Sequence, residues 1–213
     1  MGSGSDGILK LPIRFAHESL GMTPNQISVA GFVAGIAAAI TVAAGHLLVG
    51  LILMALSQLI DGLDGGVARM YNLLSEKGQM YEVIFDRLNE LAMFLALAFT
   101  GAVSYQMAVL AFVAVLLVTL VEPLSKFDPG FKRFMLYFGY LATVLFDVRG
   151  FQIAMHVIFL VNLAAFAAGT IIVDYRLQRE IDAQAMIRRE KELKLGMPQP
   201  PDDPPSFLSK LFS

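Results

Sequence analysis

The sequence predicts an all-α integral membrane protein. Six transmembrane helices are expected, with an N-terminal amphipathic surface helix and a C-terminal cytoplasmic helical tail. Three observations predict this. The 213 residues are 56% hydrophobic and 16% charged, with mean hydropathy +0.65, against about 45–50% apolar and about 25% charged in soluble domains. Six apolar runs approach the roughly 20 residues that a spanning helix needs. Lys and Arg cluster on alternate connections between those runs.

The elements follow in order. Residues 1–7 are rich in Gly and Ser and are expected to be flexible. The stretch "ILKLPIRFAHESLG" alternates apolar and basic residues and is expected to lie along a membrane surface. The apolar runs cover residues 27–44, 46–70, 78–100, 105–121, 131–146 and 151–173. They are helices, because an open sheet edge cannot sit in lipid. The membrane domain is placed at residues 8–174 and the tail at 175–213. In the tail, "DYRLQREIDAQAMIRREKELKLG" reads as a charged helix, and "MPQPPDDPPS" cannot continue it. The closing "FLSKLFS" is apolar enough to touch lipid.

Orientation follows from the cations. Lys10 and Arg14 precede the first run, and Arg69 and Lys77 flank the second connection. Lys126, Lys132 and Arg133 lie on the fourth, and Arg176, Arg179, Arg188 and Arg189 follow the sixth run. The first and third connections carry no Lys or Arg, and the fifth carries only Arg149. Both termini and the even connections are therefore expected in the cytoplasm. The chain has no cysteine, which excludes disulfides and thiolate chemistry. Net charge is -2, and no nucleic-acid partner is expected.

The second connection holds the unusual feature, "DGLDGGVARMYNLLSEKGQMYEVIFDR". An ionisable residue within a bilayer costs on the order of 2.5–3.5 kcal/mol on insertion scales. Asp61 and Asp64 stand at i and i+3, and Glu82 and Asp86 at i and i+4, so each pair shares a helix face. Folding the two helices antiparallel about "NLLSEK" sets Asp64 level with Glu82, and Asp61 level with Asp86 one turn deeper. Four such charges cannot stay ionised without neutralisation. Protonation is one solution, and cations are the other. Oxygen-only ligands suit Mg²⁺, Mn²⁺ or Ca²⁺, and a site with two divalent cations suits displacement at phosphorus. Gly62, Gly65, Gly66 and Ala68 leave the backbone bare beside the carboxylates, for helix packing or for a ligand. Arg69 points to a phosphate from the cytoplasmic side or to a topological flank.

The pattern Asp-x-x-Asp-Gly-x-x-Ala-Arg, eight residues, then Gly-x-x-x-acid-x-x-x-Asp resembles the signature of the CDP-alcohol phosphotransferases. Here it is carried by Asp61, Asp64, Gly65, Ala68, Arg69, Gly78, Glu82 and Asp86. The six runs and the surface helix are similar to that family too. The resemblance implies an enzyme in which an alcohol displaces CMP from a CDP-linked lipid, in phospholipid biosynthesis. It implies two divalent cations, Mg²⁺ or Mn²⁺, on Asp61, Asp64, Glu82 and Asp86. It also implies Asp86 as the base on the acceptor hydroxyl. Asn25, Asp61, Gly65, Ala68, Arg69 and Gly78 would receive the CDP group, although Thr23 and Asn25 equally suit capping of the first run. Homodimers are usual in the family. The family usually has Asp where this chain has Glu82, whose longer arm shifts the carboxylate and bears on metal preference.

The expected acceptor is a phosphorylated polyol, inositol phosphate or glycerol phosphate, met by Arg87, Lys126, Lys132 and Arg133. For the last three, topology anchoring is the competing role, and for Arg87 a pair with Glu90. The loop "EPLSKFDPGFKRF" does not match the Arg-rich fourth connection of inositol-phosphate members. Alternatives are an amino-alcohol acceptor such as serine, or a divalent-cation transporter using the same carboxylates. A transporter needs polar residues continuing across the membrane, and "HLLVGLILMAL" and "LAMFLALAFT" offer almost none.

Overall fold

The computed structural model describes residues 5–195, and they are helical throughout apart from short connections. A helix α1 (Ser5–Arg14) runs into a π-helical turn at Phe15–Ser19. Six longer helices follow: α2 (Pro24–Ala43), α3 (Leu47–Met70), α4 (Glu76–Phe99), α5 (Tyr105–Ser125), α6 (Lys132–Phe146) and α7 (Gly150–Lys194). They occupy the positions of the six apolar runs. Four of them are long and apolar enough to cross a membrane: α2, α3, α5 and the first 42 residues of α7. The α4 helix carries too many charges and α6, with 15 residues, is too short for that test. Ser5 to Gly7, expected in the flexible N-terminus, already belong to α1. The tail linker and the closing "FLSKLFS" lie outside the described residues.

Local signals explain the helix ends. Thr23 caps α2 in a capping box: the Thr23 N–H donates to Gln26 Oε1 at 2.9 Å, and the Gln26 N–H donates to Thr23 Oγ1 at 3.4 Å. Ser75 accepts from the Gly78 N–H at 3.1 Å and opens α4. Asn72 takes a left-handed conformation (φ 53°) between α3 and α4, a role asparagine tolerates. The α7 helix passes through residue 175 without a break, so the charged tail prolongs the last apolar helix.

The helices form two trios. In the first, α2 packs against both α3 and α4. In the second, α7 packs against both α5 and α6, and α4 with α5 joins the two. The shared core contains Val42, Leu51, Phe94, Leu97, Val115, Leu136, Met155 and Ile158. A smaller cluster of Ile13, Ala16, Ile27 and Val67 fastens α1 and the π turn to the end of α3. Close approach is built on glycine: a Cβ on Gly31 would touch Ile60 and the Asp61 backbone at 3.4 and 3.5 Å. The expected direct packing of α3 on α4 gives way to α2 packed on both, which leaves a cleft between the acidic faces.

Candidate active site

The cleft opens where α3 ends and α4 begins. Its mouth, about 220 Å³, is lined by Asn25, Ser28, Asp64, Gly65, Ala68, Arg69, Gly78 and Glu82, among others. Every residue expected to receive a CDP group, apart from Asp61, therefore lines one cavity. Gly65 lets Arg69 fold back over α3, since a Cβ there would stand 3.2 Å from Arg69 Nη1. Gly78 does the same for Asn25, whose Oδ1 would meet a Cβ at 3.3 Å. The two roles for "TPN" divide: Thr23 caps, and Asn25 faces the cavity.

The four carboxylates sort as their spacing predicts. Asp64 and Glu82 share the mouth. Asp61 and Asp86 share Arg133, which reaches across from α6. Each of the four lies within Coulombic reach of the other three. Asp64 is buried, with the Ser28 hydroxyl donating to Oδ2 and the Gly65 N–H to Oδ1. Arg133 donates from Nη2 to Asp86 Oδ1, and its Nη1 stands 3.7 Å from Asp61 Oδ2.

Behind Asp86 the chain of charges continues. Arg87 donates to Glu90 at 2.8 Å, and Lys132 Nζ lies 3.8 Å from Glu90 and 3.7 Å from Asp128. Glu90 and Lys132 are buried, so this is an internal ion network rather than a topological anchor. Arg87 thus pairs with Glu90, one of its two expected roles. Lys126 does not join Arg87, Lys132 and Arg133. It is exposed and left-handed (φ 58°), and its N–H closes the end of α5 on the Glu122 carbonyl. A turn deeper, a cavity of about 20 Å³ is lined by Ser57, Gln58, Asn89, Glu90 and Arg133, among others. It has room for one water, and Asn89 Oδ1 is buried without a partner among the described residues.

Oxygen-only donors of this charge fit hard divalent cations. In the arrangement observed, no three acidic or histidine side chains among the described residues stand close enough together to hold one ion. A guanidinium lies between Asp61 and Asp86 instead.

Residues 21–175 match the CDP-alcohol phosphatidyltransferase family. The chain belongs to that family. Its apolar helices and this membership mark it as a membrane protein. Among relatives of the family, an archaetidylinositol phosphate synthase from Pyrococcus horikoshii is 28% identical over 95 residues, 45% of this chain and 50% of the relative. The match thus spans half the length of that relative. Crystal structures of Mycobacterium tuberculosis phosphatidylinositol phosphate synthase share the fold. One with CDP-DAG bound has a TM-score of 0.65 at 17% identity, over 76% of this chain and 92% of that one. One in complex with manganese and citrate has a TM-score of 0.66 at 18% identity, over 76% and 87%.

Three site residues were not singled out from sequence. Ser28 stands in "TPNQIS" without any local mark of its role. Asn89 and Asp128 likewise gain meaning only when α2, α4 and α6 are brought together.

Proposed function

We propose that this chain transfers a phosphatidyl-type group from a CDP-linked lipid to the hydroxyl of a phosphorylated polyol, releasing CMP. The acceptor oxygen bonds to the lipid-side phosphorus. The anhydride bond from that phosphorus to CMP breaks, and the hydroxyl proton passes to Asp86. Two divalent cations, Mg²⁺ or Mn²⁺, held by Asp61, Asp64, Glu82 and Asp86, supply charge stabilisation for the diphosphate. Asn25, Gly65, Ala68, Arg69 and Gly78 receive the nucleotide. All six long helices span the bilayer, with the site and both termini cytoplasmic, in a homodimer as is usual for the family.

This reading rests on one observation: the four carboxylates face one another beside a cavity that also collects Asn25, Arg69 and the signature glycines. The acceptor class is supported by Arg87 and Arg133 beside Asp86 and by Lys132 at the neighbouring Glu90, and by relatives named for inositol phosphate products. The ammonium of an amino alcohol would meet the Arg87 and Arg133 guanidinium groups beside Asp86. A transporter finds no polar continuation, because beyond Asn89 and Glu90 the core is Met93, Phe94 and Leu97.

The test is CMP release from CDP-lipid with inositol phosphate, glycerol phosphate or serine, in Mg²⁺ and in Mn²⁺. Release with a phosphorylated polyol is expected. Release with serine alone would reassign the acceptor, and no release with any acceptor would remove the enzymatic reading.

A further inference from the structure

The three cations around Asp86 and Glu90 are not equivalent. Arg87 and Lys132 are committed to Glu90, whose side chain is only 5% exposed. Withdrawing either would leave the buried Glu90 with one fewer partner, which is costly. Arg133 lies within Coulombic reach of Glu90 but makes no direct ion pair with it. Its own ion pairs go to Asp61 and Asp86, two of the residues assigned to divalent cations. Its side chain is 24% exposed and theirs are each 25% exposed, so this pair can open to solvent without stranding a buried group.

Charge counting sets the two occupants against each other. Four carboxylates are balanced by two divalent ions, and a guanidinium in the same place would add a surplus positive charge in a half-buried cleft. Asp86 Oδ1 also accepts the Arg133 hydrogen bond, so a cation on that oxygen would meet the guanidinium at close range.

We propose that Arg133 is a built-in competitor for the divalent-cation site: it neutralises Asp61 and Asp86 in the metal-free enzyme, and metal and guanidinium exchange with each other there. Resting on the metal reading above, this assigns Arg133 a positioning role that Lys126, Arg87 and Lys132 do not share. The exchange leaves a cation released beside Asp86.

The experiment uses the full-length protein in detergent, stripped of metal, with Mn²⁺ alone as probe and free Mn²⁺ read by electron paramagnetic resonance. Arg133→Gln is expected to bind Mn²⁺ roughly tenfold more tightly than the parent, the scale of one lost half-buried like-charge interaction. Arg133→Lys, which keeps the charge but not the fork, is expected to fall between them and guards against misfolding of the first variant. Lys126→Gln removes a cation outside the network and is expected to leave the affinity unchanged. Equal or weaker Mn²⁺ binding by both Arg133 variants would overturn the competition while leaving the metal reading intact. Tightening by Lys126→Gln to the same extent would reduce the effect to net charge and overturn it too. Absence of Mn²⁺ binding in the parent and every variant would overturn the metal reading and the competition together.

Discussion

Asp86 differs from the other three carboxylates in its neighbours. Asp64 is held by Ser28 and the Gly65 backbone, and Glu82 lies at the open mouth. Asp86 instead sits between Arg133 and Arg87, whose Nη2 is 4.0 Å away. It is thus flanked by the groups best suited to an anionic acceptor, while the residues proposed for the nucleotide line the mouth of the cleft. Asp86→Asn should therefore lower turnover by about 10²–10⁴-fold, the range for a lost general base, with CDP binding still measurable. Equal rates in variant and parent would remove Asp86 from the base role. The acids themselves were legible in sequence, because i+3 and i+4 spacing is local information. Their partners were not: Ser28 lies 36 residues from Asp64 and Arg133 lies 47 from Asp86. Nothing in the local pattern says which face of α2 or α6 turns inward.

Among the elements, α2 does the most to shape the site, although it carries none of the acids. Its small residues let α3 and α4 approach from two directions, and the acidic faces are left apart. The glycines of the two helices can be told apart on this basis. A Cβ on Gly35 would run into the Asn89 amide, whereas one on Gly62 meets nothing within 4 Å. Gly35→Ala should cost up to about 1 kcal/mol net, because the Asn89 amide must turn aside while a helix penalty is removed. Gly62→Ala should be neutral or stabilising by up to about 1 kcal/mol, since it removes a helix penalty. Thermal unfolding in detergent measures both, and the opposite order would contradict the packing. The sequence placed Gly62 and Gly66 together at helix-packing spacing. In the structure only Gly66 packs, with Ile13 of α1 against it.

The same end of α3 is tied to α1 by a titratable clamp. Tyr71 donates to Glu18 at 2.8 Å, Arg14 pairs with Glu18 at 3.2 Å, and the His17 ring lies 4.1 Å from that of Tyr71. The Tyr71 hydrogen bond, then Arg14, holds the Glu18 carboxyl below its usual range. Its contribution is present above the unfolded value and is lost as pH falls through the lowered folded value. Glu18 in turn raises the Tyr71 phenol. That contribution is present below the unfolded value and is lost as pH rises through the raised one. Spin labels at Lys10 and Leu73 should report a close population that declines at both acidic and alkaline extremes. In Tyr71→Phe the alkaline decline should be absent, and its persistence would exclude the phenol as the cause.

For the molecule as a whole, the alternation of charged and uncharged connections predicts a cytoplasmic site. All six apolar runs became helices, and the cleft lies at the end where Arg69, Lys132 and Arg133 gather. Two of those helices fail the length and composition test for crossing a membrane: α4 because it carries charges of the site, and α6 because it has only 15 residues. Two of the charges are turned inward: Glu90 and Lys132 are buried and paired inside the bundle. If all six helices cross, the connections must alternate sides. The chain has no cysteine, so single cysteines at Ser75, Lys126, His46 and Ser104 can be read without background. Ser75→Cys and Lys126→Cys should react with an impermeant maleimide only from the cytoplasmic side, and His46→Cys and Ser104→Cys only from the other. Labelling of Ser75 and Ser104 from the same side would mean that α4 does not cross. The carboxylate cleft would then need a different account of how it meets the headgroup of a lipid.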